Sequence, residues 1–266
     1  MSITIIVLAL LIGISLGLIG GGGSILTVPV LVYAAGISPV MATAYSLFIV
    51  GGTSLVGAGN YFTKKLVHVP TAIIFSIPSF IAVYSVRRYV IPLIPDSVFT
   101  VGSFIVTKSI LIMVAFALIM LFAAISMIRA KNDEIDNEDV ADIKFNYLLI
   151  SAEGLLVGAL TGFVGAGGGF LIIPALVMFA KLPMRLAIGT SLLIIAIKSL
   201  IGFVGDVQNI TGIDWSLLGI FTAVASTGIF IGSFLSKKIE VNSLKKVFGW
   251  FVLVMAIYIL IKELTK

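Results

Sequence analysis

The chain of 266 residues has no cysteine and a single histidine, His68. The first absence excludes disulfides, thiol redox chemistry and thiolate metal sites. The second excludes a histidine-based metal cluster. Charge is scarce as well: 11% of residues are Asp, Glu, Lys or Arg, and 60% are hydrophobic, where a soluble domain has about a quarter charged. Such a chain turns most of its surface to lipid. Strict apolar/polar alternation, the mark of a membrane barrel strand, is also missing. The glycine run Gly20–Gly23 follows no strand and has no later acidic residue of the kind a dinucleotide site uses. No catalytic set, cofactor or metal is therefore expected.

Long apolar runs are abundant. Met41–Asn60, Ala72–Val90, Phe104–Ile128, Leu186–Gly205 and Trp215–Ser236 are each near the 20 residues a helix needs to cross a bilayer. The expected fold class is an all-α polytopic membrane protein of the cell membrane. The net charge of +5 reads as loop lysines and arginines that set orientation, so no nucleic-acid partner is expected. The expected partners are the lipid bilayer and a small anionic substrate, with homo-oligomerisation left open.

One stretch occurs twice. Gly17-Leu-Ile-Gly20-Gly-Gly-Gly23-Ser24-Ile-Leu-Thr27-Val-Pro29 returns as Gly162-Phe-Val-Gly165-Ala-Gly167-Gly168-Gly169-Phe-Leu-Ile-Ile-Pro174 at a constant offset of 145. From Gly13 to Gly57 that register gives 16 identities in 45 positions, which marks an internal duplication. The echo of Gly13 and Gly17 at Gly158 and Gly162 argues that Met1–Gly17 is a retained span and not a signal peptide. The duplication divides the chain into a first membrane repeat at 1–128, a polar linker at 129–146 and a second repeat at 147–266. Each repeat is expected to hold one glycine-broken helical hairpin, Ile3–Ala35 and Tyr147–Ala180, plus three plain helices.

Counting basic residues tests the hairpins. If each broken element crosses once, the two sides carry 8 and 7 lysines and arginines; if each goes in and comes back, they carry 11 and 4. The positive-inside rule selects the second arrangement, with both termini extracytoplasmic, the linker cytoplasmic, and Arg87 and Arg88 in an extracytoplasmic loop. Each repeat then makes an odd number of net crossings, so the two are inverted, as in secondary transporters that bind substrate where broken helices meet.

A helix that begins inside the membrane exposes N–H groups that lipid does not satisfy and the positive end of its dipole, which suits an anion. The starts of Ser24–Ala35 and Phe170–Ala180 are two such ends. The candidate substrate-binding residues are Gly20, Gly21, Gly22, Gly23 and Ser24 from the first break, and Gly165, Gly167, Gly168 and Gly169 from the second. Lys198 joins them as a cationic partner, because a lysine at midspan costs about 2.5–3.5 kcal/mol and usually has a reason to be there. Lys108, nearer a span end, reads as a snorkelling residue. Glu153 is the candidate proton carrier. A rival from another class is an intramembrane hydrolase with Ser24 as nucleophile; it needs a buried base, and His68 falls in a loop. A cation or metal permease is the other alternative.

The duplicated glycine–proline motif, the serine-bearing span that follows each copy and the polar central linker resemble the TauE/SafE (TSUP) family of sulfite and organosulfonate transporters over Ile3–Ile261. The resemblance implies a secondary permease for small sulfur-containing anions, coupled to protons and working by alternating access. The second copy departs from the first with Ala166 for Gly21 and Gly169 for Ser24.

Overall fold

A computed structural model describes residues 3–101, 104–129, 147–178, 180–210, 212–236 and 241–265. The expected linker 129–146 lies outside the described residues apart from Arg129. The helices are α1 (Ile3–Ile19), α2 (Thr27–Pro29), α3 (Pro39–Thr63), α4 (Val69–Ser85), α5 (Ile91–Leu93), α6 (Lys108–Arg129), α7 (Tyr147–Val164), α8 (Gly169–Met178), α9 (Met184–Val207), α10 (Trp215–Leu235) and α11 (Val241–Leu264). Among the described residues, eight helical stretches are long and apolar enough to cross a bilayer. The protein is an all-α polytopic membrane protein, as the composition requires.

The first stretch, Ile3–Ala34, is 32 residues of continuous helical turns, about 48 Å at 1.5 Å per residue against a hydrocarbon core of about 30 Å. It fits because it folds back. Gly20 adopts φ +67°, a backbone region open to glycine at little cost, and Gly23 comes to lie against Ser15 and Leu16. The return arm is tightly wound over Gly20–Leu26, α-helical over α2 and widened to π over Val30–Ala34. The expected helix start at Ser24 is thus four residues late. At the matching position of the second copy, Gly165 has φ +70° and the ten-residue α8 follows, about 15 Å long and too short to cross.

Glycines let the other helices approach backbone to backbone, the contact that drives association where lipid removes a hydrophobic force between helices. Gly13 and Gly17 of α1 abut Ala225, Ile229 and Gly232 of α10, so these two helices run the same way. Gly154, Gly158 and Gly162 of α7 abut Phe75, Ser79 and Val83 of α4, again in parallel. At the centre lie α3 and α9, the most buried spans, which run antiparallel with Gly51 against Leu200 and Gly189 against Leu66. Antiparallel α6 and α11 close the bundle, Gly249 facing Met127 and Ile128. Together α1, α3 and α10 run toward the face that carries Lys64, while α4, α7 and α9 run away from it.

Two expectations are corrected here. The span read as Phe104–Ile128 begins at Lys108; Phe104–Thr107 is a β-strand (β2) paired antiparallel with Ser97–Val101 (β1), both segments rich in the β-branched and aromatic residues that strands favour. Lys108 is therefore the first residue of its helix, half-buried at the end of the span. Arg87, assigned to a loop, is inside the helix: Val69–Leu93 is one helical stretch with a π turn at Val86–Val90, and Arg87 is 1% exposed.

Candidate functional site

The two glycine breaks meet at the centre of the bundle. Gly21 and Gly169 touch backbone to backbone, and no Cβ fits at either. Gly167 lies against Val50 of α3 and Ser24, whose Cβ would stand 3.3 Å from a methyl placed there. Ser24 is buried and its hydroxyl donates to the Gly21 carbonyl (2.7 Å), so it holds the first break in shape. Gly20 packs on Ile188 of α9, and Gly165 packs on Thr43 of α3. Ile188 and Thr43 are themselves related by the 145-residue offset.

The second break is the more open of the two in conformation. Gly167 and Gly168 also have positive φ, +64° and +73°, so residues 165–168 form a turn and not a helix. The Gly165 N–H donates to the Thr161 carbonyl (2.8 Å) and the Gly168 N–H to the Ala166 carbonyl (2.7 Å). Leu171 and Ile172 N–H groups both use the Gly168 carbonyl. The amides of Ala166, Gly167 and Gly169 have no backbone acceptor among the described residues. They sit at the N-terminus of α8, where the helix dipole is positive.

Lys198 is brought to this turn. It is 1% exposed, donates to the Thr161 hydroxyl (2.7 Å), and its Nζ would lie 2.6 Å from a Cβ at Gly168. The Thr161 hydroxyl in turn donates to the Val157 carbonyl (2.7 Å). The lysine does not snorkel; its ammonium is held at the glycines, 14 residues from the start of α9 at Met184 and 9 from its end at Val207.

Arg87 stands at the other end of the same turn. Its Nη1 donates to Thr43 Oγ1 (3.0 Å) and lies 3.4 Å from Asp206 Oδ2, and its Nη2 faces Gly165. Sequence reasoning missed this residue because Arg87 and Arg88 are adjacent and precede Pro92 and Pro95, the signature of a loop; on a helix the two point about 100° apart, Arg88 out to Asn209 Oδ1 (2.6 Å) and Arg87 in. Buried hydroxyls of Ser46, Thr53 and Ser54 on α3 and Ser199 on α9 have no hydrogen-bond partner among the described residues.

Not every expected residue converges. Gly22 faces Ile19 and, farther off, Phe248 of α11, away from the contact of the two breaks. Glu153 lines an apolar cleft of about 730 Å³ with Leu118, Phe122 and Leu171, between α6, α7 and α8, about 18 Å along α7 from Gly165. His68 Nδ1 is engaged by Thr71 Oγ1 (2.8 Å) at the start of α4 and accepts from the Thr71 N–H, apart from Ser24. On the face that carries Lys64, a cavity of about 90 Å³ is lined by Tyr61, Lys64, Arg185 and Ile188; through Ile188 it reaches the residue that covers Gly20.

Comparison with known proteins agrees with this architecture. A protein from Xylella fastidiosa (strain 9a5c) described as a probable membrane transporter protein is 30% identical over 253 residues, covering 94% of this chain and 91% of its own. The probable membrane transporter protein YunE of Bacillus subtilis (strain 168) is 26% identical over 264 residues, 91% of each chain. A probable membrane transporter protein of Haemophilus influenzae is 24% identical, covering 97% of this chain and 99% of its own. No solved structure matches. The profile of one family, "Sulfite exporter TauE/SafE", matches residues 5–259. With eight span-length helices among its described residues and that match along nearly its whole length, the chain is a multi-pass membrane transporter and belongs to the sulfite exporter TauE/SafE family.

Proposed function

We propose that this protein is a secondary permease for small sulfur-containing oxyanions, such as sulfite, thiosulfate or an organosulfonate. It moves them by alternating access and binds them at the glycine turn 165–169 against Gly21. The observation that carries the reading is the meeting of the two breaks beside a buried ammonium: the amides of Ala166, Gly167 and Gly169, which have no backbone acceptor among the described residues, and Lys198 beside them supply hydrogen bonds and charge for an anion once the breaks part. The name of the family supports the sulfur-oxyanion class.

The two copies act as an inverted repeat in this reading, with membrane repeats 1–128 and 147–266 joined by a cytoplasmic linker. It is supported by helix direction, since α1 and α7, α3 and α9, and α10 and α4 are related by the offset of 145 and run oppositely. The Lys64 face is then cytoplasmic by its basic residues, and the cavity at Lys64 and Arg185 is the vestibule on that side. The backbone contact of Gly21 with Gly169 closes the site in this conformation. Transport requires the breaks to part and the two sides to open in turn.

The test is uptake by reconstituted proteoliposomes of sulfite, thiosulfate, sulfoacetate and taurine against chloride and divalent cations, with and without a proton gradient. Saturable uptake of a sulfur oxyanion, lost in Lys198→Met and Gly169→Leu, is the expected result. Uptake of a cation and of no oxyanion refutes the reading.

A further inference from the structure

Arg87 is more deeply buried than its partners require. The residue is 1% exposed, yet Nε and Nη2 have no hydrogen-bond partner among the described residues. Asp206, 4% exposed, offers Oδ2 at 3.4 Å from Nη1, but that oxygen too has no hydrogen-bond partner. An aligned guanidinium–carboxylate pair closes to about 2.7–2.9 Å and is often bidentate. This pair does neither, and two unfilled donors in a buried guanidinium are costly. Nη2 faces Gly165 at one end of the turn, as Lys198 Nζ faces Gly168 at the other. Between the two cations lie the unfilled amides of Ala166 and Gly167. A guanidinium fork with two free donors matches two oxygens of a small oxyanion.

We infer that Arg87 is a second anion-binding residue of this site, and that Asp206 is its resident counter-ion, which an arriving oxyanion displaces and which takes up a proton as it is displaced. This rests on the reading of the glycine turn as an anion site. The exchange balances. The anion sets one negative charge against Arg87, and a dianion such as thiosulfate sets its second against Lys198; Asp206 gives up its own charge by binding one proton from the aqueous phase at a carboxylate oxygen, and the proton leaves when the anion departs and Asp206 returns to Arg87. The physical cause is general: a carboxylate that loses its cation inside a low-dielectric interior is neutralised. The other charged or titratable groups facing this end of α9 do not substitute for Arg87. Arg88 is taken up by Asn209 (2.6 Å), the Tyr84 ring lies beside Gly205, and the Tyr45 hydroxyl accepts from the Asp214 N–H (2.6 Å). The proton carrier is then Asp206 and not Glu153, whose cleft is lined by lipid-type side chains of α6, α7 and α8.

The experiment uses the full chain in detergent at fixed ionic strength, with thiosulfate, sulfate or sulfite replacing gluconate. Binding is read from thermal unfolding, and proton uptake from a pH dye in weak buffer with thiosulfate, which does not itself titrate near neutrality. Asp206→Asn frees Arg87 from its counter-ion and is expected to tighten oxyanion binding on the order of tenfold; adding Arg87→Gln abolishes the gain. Wild type and Glu153→Gln are expected to take up about one proton per thiosulfate bound, and Asp206→Asn none. Unchanged affinity in Asp206→Asn, proton uptake that persists in it, or no oxyanion binding by wild type and variant alike overturns the inference. If Asp206→Asn does not fold, thiosulfate binding to wild type without proton uptake overturns it equally. The transport reading fails separately: no oxyanion uptake by wild-type proteoliposomes, with the Asp206→Asn gain intact, sinks the permease and leaves the anion site.

Discussion

Gly169→Ala adds one methyl group at the place where the two breaks touch. Gly169 has ordinary helical backbone and begins α8, so alanine is conformationally acceptable and the whole effect is steric. The methyl meets the Cα and carbonyl of Gly21, main-chain atoms that cannot rotate away. The breaks must separate, at the cost of about 1–3 kcal/mol typical of overpacking. At about 1.4 kcal/mol per factor of ten, the closed conformation loses roughly fivefold to a hundredfold in population. A transport cycle that passes through it slows by a similar factor. Gly59 in α3 and Gly219 in α10 are the controls, since nothing lies within 4 Å of a Cβ at either; alanine there is expected to be neutral or to stabilise by up to about 1 kcal/mol. The assays are thermal unfolding in detergent and initial uptake rates in proteoliposomes, with membrane yield as the check on insertion. Gly169→Ala with wild-type unfolding temperature and wild-type uptake would refute the reasoning, since a backbone contact this close leaves no room for a silent methyl.

Lys198→Met is expected to leave the unfolding temperature unchanged or raised, because an apolar side chain replaces a buried charge, while oxyanion binding weakens roughly tenfold to a hundredfold through loss of a charged hydrogen bond of about 1.5–3 kcal/mol; an equal loss of stability and binding would mark the lysine as structural. Thr161→Val keeps the ammonium and removes its 2.7 Å acceptor, so affinity should fall by less. Burial lowers the His68 pKa from its ordinary 6.5, so its contribution to stability is complete above about pH 6.5 and is lost as pH falls through the folded value. Protonation removes the acceptor that caps α4, worth about 1 kcal/mol, and His68→Asn should flatten that pH dependence in thermal unfolding. Reversing the vestibule charges with Lys64→Glu and Arg185→Glu should raise the KM for an oxyanion from that side most at low salt, with the difference shrinking as ionic strength rises.

Legibility in the sequence followed the length scale of each signal. Apolar runs and the 145-residue echo are long-range patterns, and they announced the membrane class, the two hairpins and the glycines at their tips. Lys198 was legible because a charge inside an apolar run is conspicuous. Arg87 was not, since the adjacent Arg88 and the prolines that follow argued for a loop, and only the continuation of the helix through Leu93 turns one of the pair inward. Asp206, next to last in α9, carries no mark of its burial in the sequence, because the arginine it lies beside is an element away. The strand at Phe104–Thr107 reads as well as a helix start by hydropathy, because a short apolar run has no period long enough to tell the two apart. Which glycine of each run touches the other break is a matter of register between segments 148 residues apart, Gly21 and Gly169, and no local pattern encodes it.

The pairing of α1 with α10 bears on how the protein is made. Gly13 meets Ala225 and Gly17 meets Gly232, so α1 lacks its mate until roughly two hundred further residues have been made, about 10–40 s at ordinary rates of synthesis. During that interval its glycine-lined stripe is held apart by lipid alone. Biogenesis therefore includes a late docking event, in which α10 completes a surface left open by α1. A nascent chain arrested before α10 would present that stripe to insertion chaperones and membrane proteases as an unfinished interface.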